Sequence, residues 1–191
     1  MTQVPAELDA LIALFREHGV RSYLEVGCKL GTTFDRVMRS LPVDSTGVAV
    51  DLPGGLWGHP STVTALRQAC VALDGDGYVT ALLLGDSARP EMVASVASVG
   101  PFDAILIDAD HRYEAVAADW RHYGPMGRLV AFHDIAAPPG HASAKTGHLV
   151  GVPRLWTEIR ESGRRTVEFV ATGSVMGIGV VLPDEAEALA A

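Results

Sequence analysis

Five places in this chain combine acids or imidazoles with short apolar runs: Glu25-Val-Gly27, Asp51, Asp86-Ser87, Asp108-Ala-Asp110-His111 and His133-Asp134. Carboxylates accept hydrogen bonds and hold cations, while imidazoles bind metals or move protons near neutral pH. Asp108, Asp110, His111, His133 and Asp134 are thus five potential ligands in two short clusters. If the runs before them are neighbouring strands, Asp108 and Asp134 come within reach of one divalent cation, with His133 as a third ligand. A carboxylate-rich site suits Mg²⁺, whereas an imidazole ligand tilts it toward a transition metal. Without a metal, His133 and Asp134 would pair with each other or with Tyr113. Asp108, His111 and His133 are the candidate catalytic residues, and His111 is placed to take or relay a proton from a bound hydroxyl.

The second chemical signal is Ser22 to Thr33, where an apolar run carrying Glu25 ends in Gly27 and Gly31. Tyr23, Leu24 and Val26 suit a buried strand, and the two glycines permit positive φ and let a small molecule touch main chain that a Cβ would block. A helix starting near Thr32 or Thr33 would aim backbone N–H groups at a ligand, as α/β folds do after a first parallel strand. A tight turn without a ligand is the alternative. Asp51 lies 24 residues after Gly27, near the roughly 20-residue offset at which an acid accepts from ribose hydroxyls. The G-x-G-x-x-G fingerprint nevertheless fails, because its later glycines would fall at Lys29 and Thr32. NAD is therefore not the expected ligand.

These residues need a scaffold, and the periodicity supplies one. Leu8, Leu11, Ile12 and Phe15 recur at helical spacing between Pro5 and Gly19, making residues 1–19 an amphipathic N-terminal helix. Phe34, Val37, Met38 and Leu41 predict a second helix stopped by Pro42, and Thr46 to Val50 a strand ending at Asp51. Ser61 is a plausible N-cap for a helix through Leu73. Strands follow over Tyr78 to Leu84, Phe102 to Asp108 and Gly127 to Phe132, with helices around Glu91 to Val99 and Glu114 to His122. Residues 135–152 are rich in Pro, Gly, Ala and His without periodicity, as in a functional loop or lid. A helix over Pro153 to Glu161 precedes a hairpin of Thr166 to Ala171 and Val175 to Leu182, joined by Thr172-Gly173-Ser174. In a mostly parallel sheet with one antiparallel strand, all five polar endings meet on one edge, where open α/β folds bind ligands.

With 191 residues and 48% hydrophobic content, the chain can bury one core, so residues 1–191 are expected to form a single domain. A formal charge of −8 without a Lys/Arg cluster argues against nucleic acid or an anionic membrane as partner. Cys28 and Cys70 lack a CxxC partner, the amino terminus lacks signal-peptide character, and no apolar run approaches the roughly 20 residues of a membrane span. A cytoplasmic location is expected. Lysine occurs only at Lys29 and Lys145 amid abundant Arg, Ala, Val and Gly, a bias of bacteria with GC-rich genomes.

Together, Glu25-Val-Gly-Cys-Lys-Leu-Gly-Thr-Thr, Asp51, Gly85-Asp86-Ser87, Ile107-Asp-Ala-Asp-His-Arg-Tyr113 and Phe132-His-Asp-Ile135 resemble class I S-adenosylmethionine-dependent methyltransferases. The nearest branch is the small bacterial group similar to macrocin-type and catechol-type O-methyltransferases. The resemblance spans Leu11 to Leu182 and includes Arg154-Leu-Trp156 and Gly177-Ile-Gly179. It implies a Rossmann-like, seven-stranded α/β methyltransferase sheet, mostly parallel with a C-terminal antiparallel hairpin and helices on both faces. By the same resemblance Glu25, Gly27 and Gly31 hold the methionine part of S-adenosyl-L-methionine, Asp51 the ribose, and Asp86 with Ser87 the adenine. Leu52 and Asp108 complete the cofactor set. A divalent cation on Asp108, His133 and Asp134, Mg²⁺ or a transition metal, would orient and acidify the hydroxyl of a small-molecule acceptor. Lys29 departs from the glycine common in such loops, so its side chain must point away from the ligand or close over it.

His141, Lys145 and His148 of the lid, and Trp57 and His59 after Asp51, are further candidates for substrate contact. A homodimer is the possible assembly. Two other functions fit the same residues: a metal-dependent hydrolase, which gives Glu25 and Asp51 no role, and a non-catalytic S-adenosylmethionine-binding protein.

Overall fold

The computed structural model describes residues 3–55, 62–143 and 146–184. Six helices, α1 (Pro5–Glu17), α2 (Thr32–Met38), α3 (Thr62–Gly75), α4 (Pro90–Ala97), α5 (Tyr113–Tyr123) and α6 (Val152–Glu161), alternate with seven strands. The strands are β1 (Ser22–Val26), β2 (Thr46–Asp51), β3 (Val79–Leu84), β4 (Phe102–Ile107), β5 (Gly127–His133), β6 (Thr166–Phe169) and β7 (Ile178–Val181). They form one sheet in the order β3-β2-β1-β4-β5-β7-β6. The first five run parallel, and β7 pairs antiparallel with both β5 and β6. The expected seven-stranded, mostly parallel architecture is therefore present.

Alternation along each strand divides the core. Tyr23, Ala49, Leu106 and Ala131 face one side with Leu11 and Phe15 of α1, Phe34 of α2 and Leu66 of α3. Leu24, Val50, Ile105 and Val130 face the other, with Val96 of α4, Val116 of α5 and Trp156 of α6. Helices on both faces bury the central strands, so these strands read as continuous apolar runs. The polar endings are the exceptions, and parallel pairing lines them up.

Two regions differ from expectation. Helix α2 ends at Met38, before Leu41. Ser61, Trp57, His59 and Lys145 lie outside the described residues. The strands of the final hairpin are shorter than expected, joined by residues 170–177 instead of three residues. The cause is a buried carboxylate from the first helix: the Ala171 and Gly177 backbone amides donate to Glu7 at 3.0 and 3.1 Å. Those amides are satisfied by Glu7, so they do not extend the ladder between β6 and β7.

Candidate functional site

The sheet reverses its winding between β1 and β4, where crossovers leave toward opposite edges and a crevice opens above the strand ends. The Gly27 amide donates to the Val50 carbonyl at 2.8 Å and the Asp108 amide to the Val26 carbonyl at 2.9 Å, so the three strand ends are laced together. Gly27 has φ 98°, and a Cβ there would lie 2.4 Å from Ala109 Cα and 2.5 Å from the Asp108 carbonyl oxygen. The glycine is thus required by the neighbouring strand's backbone. This corrects the expectation that a side chain at Gly27 would intrude on the ligand. Gly31, at φ 77°, precedes α2, and a Cβ there would meet Leu66 Cδ1 at 2.8 Å. Gly31 is packed toward α3 and does not itself line the cleft.

A cleft of about 640 Å³ spans this edge and brings together Glu25, Gly27, Asp51, Leu52, Asp86, Ser87, Asp108, His111, His133 and Asp134. Lys29 lines it too, and its φ of 51° explains why glycine suits this position in similar loops. Its amide donates to Asp51 Oδ1 at 2.8 Å, while Asp51 Oδ2 is buried without a hydrogen-bond partner. Glu25 is 1% exposed, accepts from the Tyr23 hydroxyl at 2.7 Å, and has no ion-pair partner among the described residues. Burial pushes its pKa well above the usual carboxylate range. An acid so placed is stabilised by an incoming ammonium group.

At the other end, Asp108, His111, His133 and Asp134 interlock. His111 Nε2 is 3.2 Å from Asp108 Oδ1, and His111 Nδ1 is 2.7 Å from Asp134 Oδ2, so the imidazole lies between two carboxylates. His133 Nδ1 stands 3.2 Å from both Asp108 Oδ1 and Asp134 Oδ1, close enough for attraction but poorly aligned, which leaves both its ring nitrogens without a hydrogen bond. Asp134 adopts φ 64°, a conformation that non-glycine residues hold only under surrounding constraint. Burial alone would lower the pKa of both imidazoles, but the two carboxylates raise both, His111 to about 10. Burial would raise Asp108, but His133 and His111 hold it below the usual range.

Among the described residues no group of three or more His, Cys, Asp or Glu side chains is arranged to hold a metal ion. The His111 ring lies between Asp108 and Asp134, placing its charge beside both acids. Asp110 is claimed by Arg112, whose Nε lies 2.9 Å from Oδ2, and the Tyr113 hydroxyl donates to Glu158 at 2.8 Å and not to the histidine cluster.

The cleft also contains residues that sequence reasoning missed. Gln3, 8% exposed, donates from Nε2 to Asp108 Oδ2 at 2.7 Å and keeps its Oε1 buried and unpaired. Asp119 of α5, 2% exposed, accepts from the Ser87 hydroxyl at 2.8 Å. From residues 135–152 it is Ser143 and Val150 that line the cleft; His141 and His148 do not. That segment is tied down, with an Ala142–Leu149 bridge and a Gly151 amide donating to the His111 carbonyl at 2.7 Å. Glutamine near a terminus and an aspartate within a helical repeat carry no local signal of a site.

These protonation states set a pH dependence for the ligand-free fold. Glu25, Asp119, His111 and His133 all have folded pKa values above their ordinary ones. Each therefore contributes stability that is complete below its unfolded pKa and lost as pH rises through the folded one. Asp108 acts oppositely and protects only above its unfolded value of 3.8. Urea midpoints are expected to be highest near pH 5 and to fall toward pH 9. Asp119, pushed from 3.8 to about 7 by burial, accounts for about 3 kcal/mol of the fall between pH 5 and pH 9, which Asp119→Asn should remove. A midpoint that peaks between pH 7 and 8 would show that these groups are not held in the states described.

No protein-family model and no curated protein sequence matches the chain. Solved structures do. An O-methyltransferase from Streptomyces achromogenes involved in tomaymycin synthesis, in complex with SAM, superposes with TM-score 0.68 at 16% identity over 96% of this chain and 82% of that one. An O-methyltransferase from Bacillus cereus in complex with SAH gives TM-score 0.66 at 17% identity over 95% and 82%. Cofactor-bound Rv0187 from MTB gives 0.71 at 16% identity over 95% and 81%. At these identities the likeness is one of architecture. The chain has the Rossmann-like fold of class I methyltransferases.

Proposed function

We propose that the protein is an S-adenosylmethionine-dependent methyltransferase that acts on a hydroxyl oxygen of a small molecule. The supporting observation is the unpaired, buried Oδ2 of Asp51, which faces the same cleft as the unpaired acid Glu25 and the imidazole cluster. An orphaned buried acceptor is costly unless a ligand's donors satisfy it, and a ribose diol supplies them. Glu25 holds the ligand's ammonium group, Asp51 its ribose, and the loop at Gly85 to Ser87, with Leu52, its base. The bound cofactor supplies a methyl group on a positively charged sulfur, ready for displacement by an oxygen nucleophile.

This chain's part is to present that oxygen. His133, with Nε2 unpaired, and His111, charged between its carboxylates, lie together at one end of the cleft. The positive His111 imidazole there favours the ionised form of the acceptor hydroxyl and holds it in line, while the released proton passes through the open cleft to water. Gln3, through its unpaired Oε1, offers a hydrogen bond to the remainder of the acceptor. No step is assigned to a divalent cation, which would have to displace the His111 ring to bind both acids. No observation favours the hydrolase alternative, and a purely binding role would leave the imidazole cluster without use. The acidic balance of −8 supports a small, non-nucleic-acid acceptor. A cytoplasmic location and a homodimer are consistent with this reading. Among the described residues no helix is long and apolar enough to cross a membrane.

Calorimetry with S-adenosylhomocysteine tests the cofactor assignment. Wild-type protein should bind it, NAD should not bind, and Asp51→Ala should weaken binding by about 1–3 kcal/mol, the range for a hydrogen bond to a charged group, without unfolding the protein. Unchanged affinity in the folded variant would make Asp51 only the anchor of the Lys29 amide.

A further inference from the structure

Ser87 and Asp86 follow β3 and were expected to meet the ligand's base, but the hydroxyl of Ser87 is already engaged. It donates to Asp119 Oδ1 at 2.8 Å, and the Tyr123 hydroxyl donates to the Ser87 carbonyl at 2.7 Å, so α5 clamps this loop at two points. Asp86 is turned partly to its own loop, with Oδ1 accepting from the Ala88 amide at 3.0 Å. Asp119 is 2% exposed yet lines the cleft, and its Oδ2 has no hydrogen-bond partner among the described residues. A buried acid fixed through one oxygen, with the other open to a ligand cleft, is suited to a planar partner that presents a donor beside an acceptor.

We propose that Asp119 reads the base of the nucleoside ligand, its Oδ2 meeting the amino group and adjacent ring nitrogen of adenine, with Ser87 as the residue that positions it. The assignment rests on the nucleoside cofactor proposed above. The charged groups facing Asp119 are the carboxylates of Asp86, after β3, and Asp110, after β4; Tyr123, on the same helix, is the other titratable neighbour, its phenol raised by burial. Burial first, then these two acids, pushes the Asp119 carboxyl up to about 7, against the lowering effect of the Ser87 hydrogen bond. Below that pH it is an acid that donates to the ring nitrogen, and above it a carboxylate that repels the nitrogen's lone pair. Binding therefore carries a proton requirement.

The experiment is calorimetry of S-adenosylhomocysteine and of its purine-riboside analogue, in which a hydrogen replaces the amino group, between pH 6 and 8. Wild-type protein should bind the adenosyl ligand about tenfold more weakly at pH 8 than at pH 6 and should disfavour the analogue lacking the amino group by roughly tenfold at pH 6. Asp119→Asn should abolish the pH slope and most of the base discrimination. Ser87→Ala, which keeps the acid but removes the hydrogen bond favouring its charged form, should shift the slope to higher pH, and it carries the test if the Asn variant does not fold. Tight binding that is independent of pH and blind to the base would overturn the role of Asp119 and leave the cofactor assignment standing. So would a slope unchanged in both variants. Failure of the wild-type protein to bind S-adenosylhomocysteine at every pH would remove both assignments.

Discussion

His111→Ala is expected to lower kcat for methyl transfer by roughly 10²–10³-fold, the loss typical when one group stabilising a developing oxyanion is removed. The loss should be largest for weakly acidic hydroxyls, because a phenol or enol ionises without much help and an alcohol does not. S-adenosylhomocysteine affinity should stay within a few-fold of wild type, since the ring is engaged by Asp108 and Asp134 and the cofactor is assigned to other residues. Removing the imidazole also leaves Asp108 and Asp134 without their shared cation, so His111→Gln, which keeps a hydrogen-bond donor, separates charge from packing. EDTA should leave wild-type turnover unchanged. Loss of turnover in EDTA, restored by a divalent cation, would reassign Asp108, His133 and Asp134 as metal ligands and defeat the imidazolium account.

Gly27→Ala should be the most destabilising single methyl addition in the cleft, by about 3–5 kcal/mol, the range reserved for a named steric conflict. Two effects combine. A side chain at φ 98° is strained wherever it sits, and here the new carbon would lie 2.4 Å from the Ala109 backbone, so β1 and β4 would have to separate. Gly31→Ala is the matched control, with positive φ but a closest approach of 2.8 Å to the movable Leu66 Cδ1 and a lesser one of 3.3 Å to Ala69 Cβ. Urea denaturation without ligand distinguishes the causes. A Gly27→Ala protein as stable as wild type, but deficient in cofactor binding, would return the glycine to a ligand-contact role.

The parallel order of five strands, the helices between them and the gathering of Glu25, Asp51, Ser87, Asp108 and His133 at one edge were legible in the sequence. Periods of 3.6 and 2 residues are local, and parallel pairing converts the end of each apolar run into a position on that edge. Some residues were legible in place but not in purpose. Gly27 announces a positive φ, but only the approach of Ala109 shows what its missing side chain makes room for. His111 announces chemistry, yet the charge it carries depends on Asp134, 23 residues away in the chain and 2.7 Å away in space.

What only the tertiary structure decided is which polar atoms satisfy one another. Gln3 reaches Asp108 across 105 positions and Glu7 reaches Gly177 across 170; such pairings leave no periodic trace, because they follow from where the sheet carries each chain end. The sequence alone determined the architecture and the edge on which chemistry could occur, since both follow from hydrophobic spacing. The state of the acids on that edge required three dimensions. Burial and neighbouring charge set it, and these raise Asp119, leave an oxygen of Asp51 unpaired and place an imidazole where a metal ion was expected.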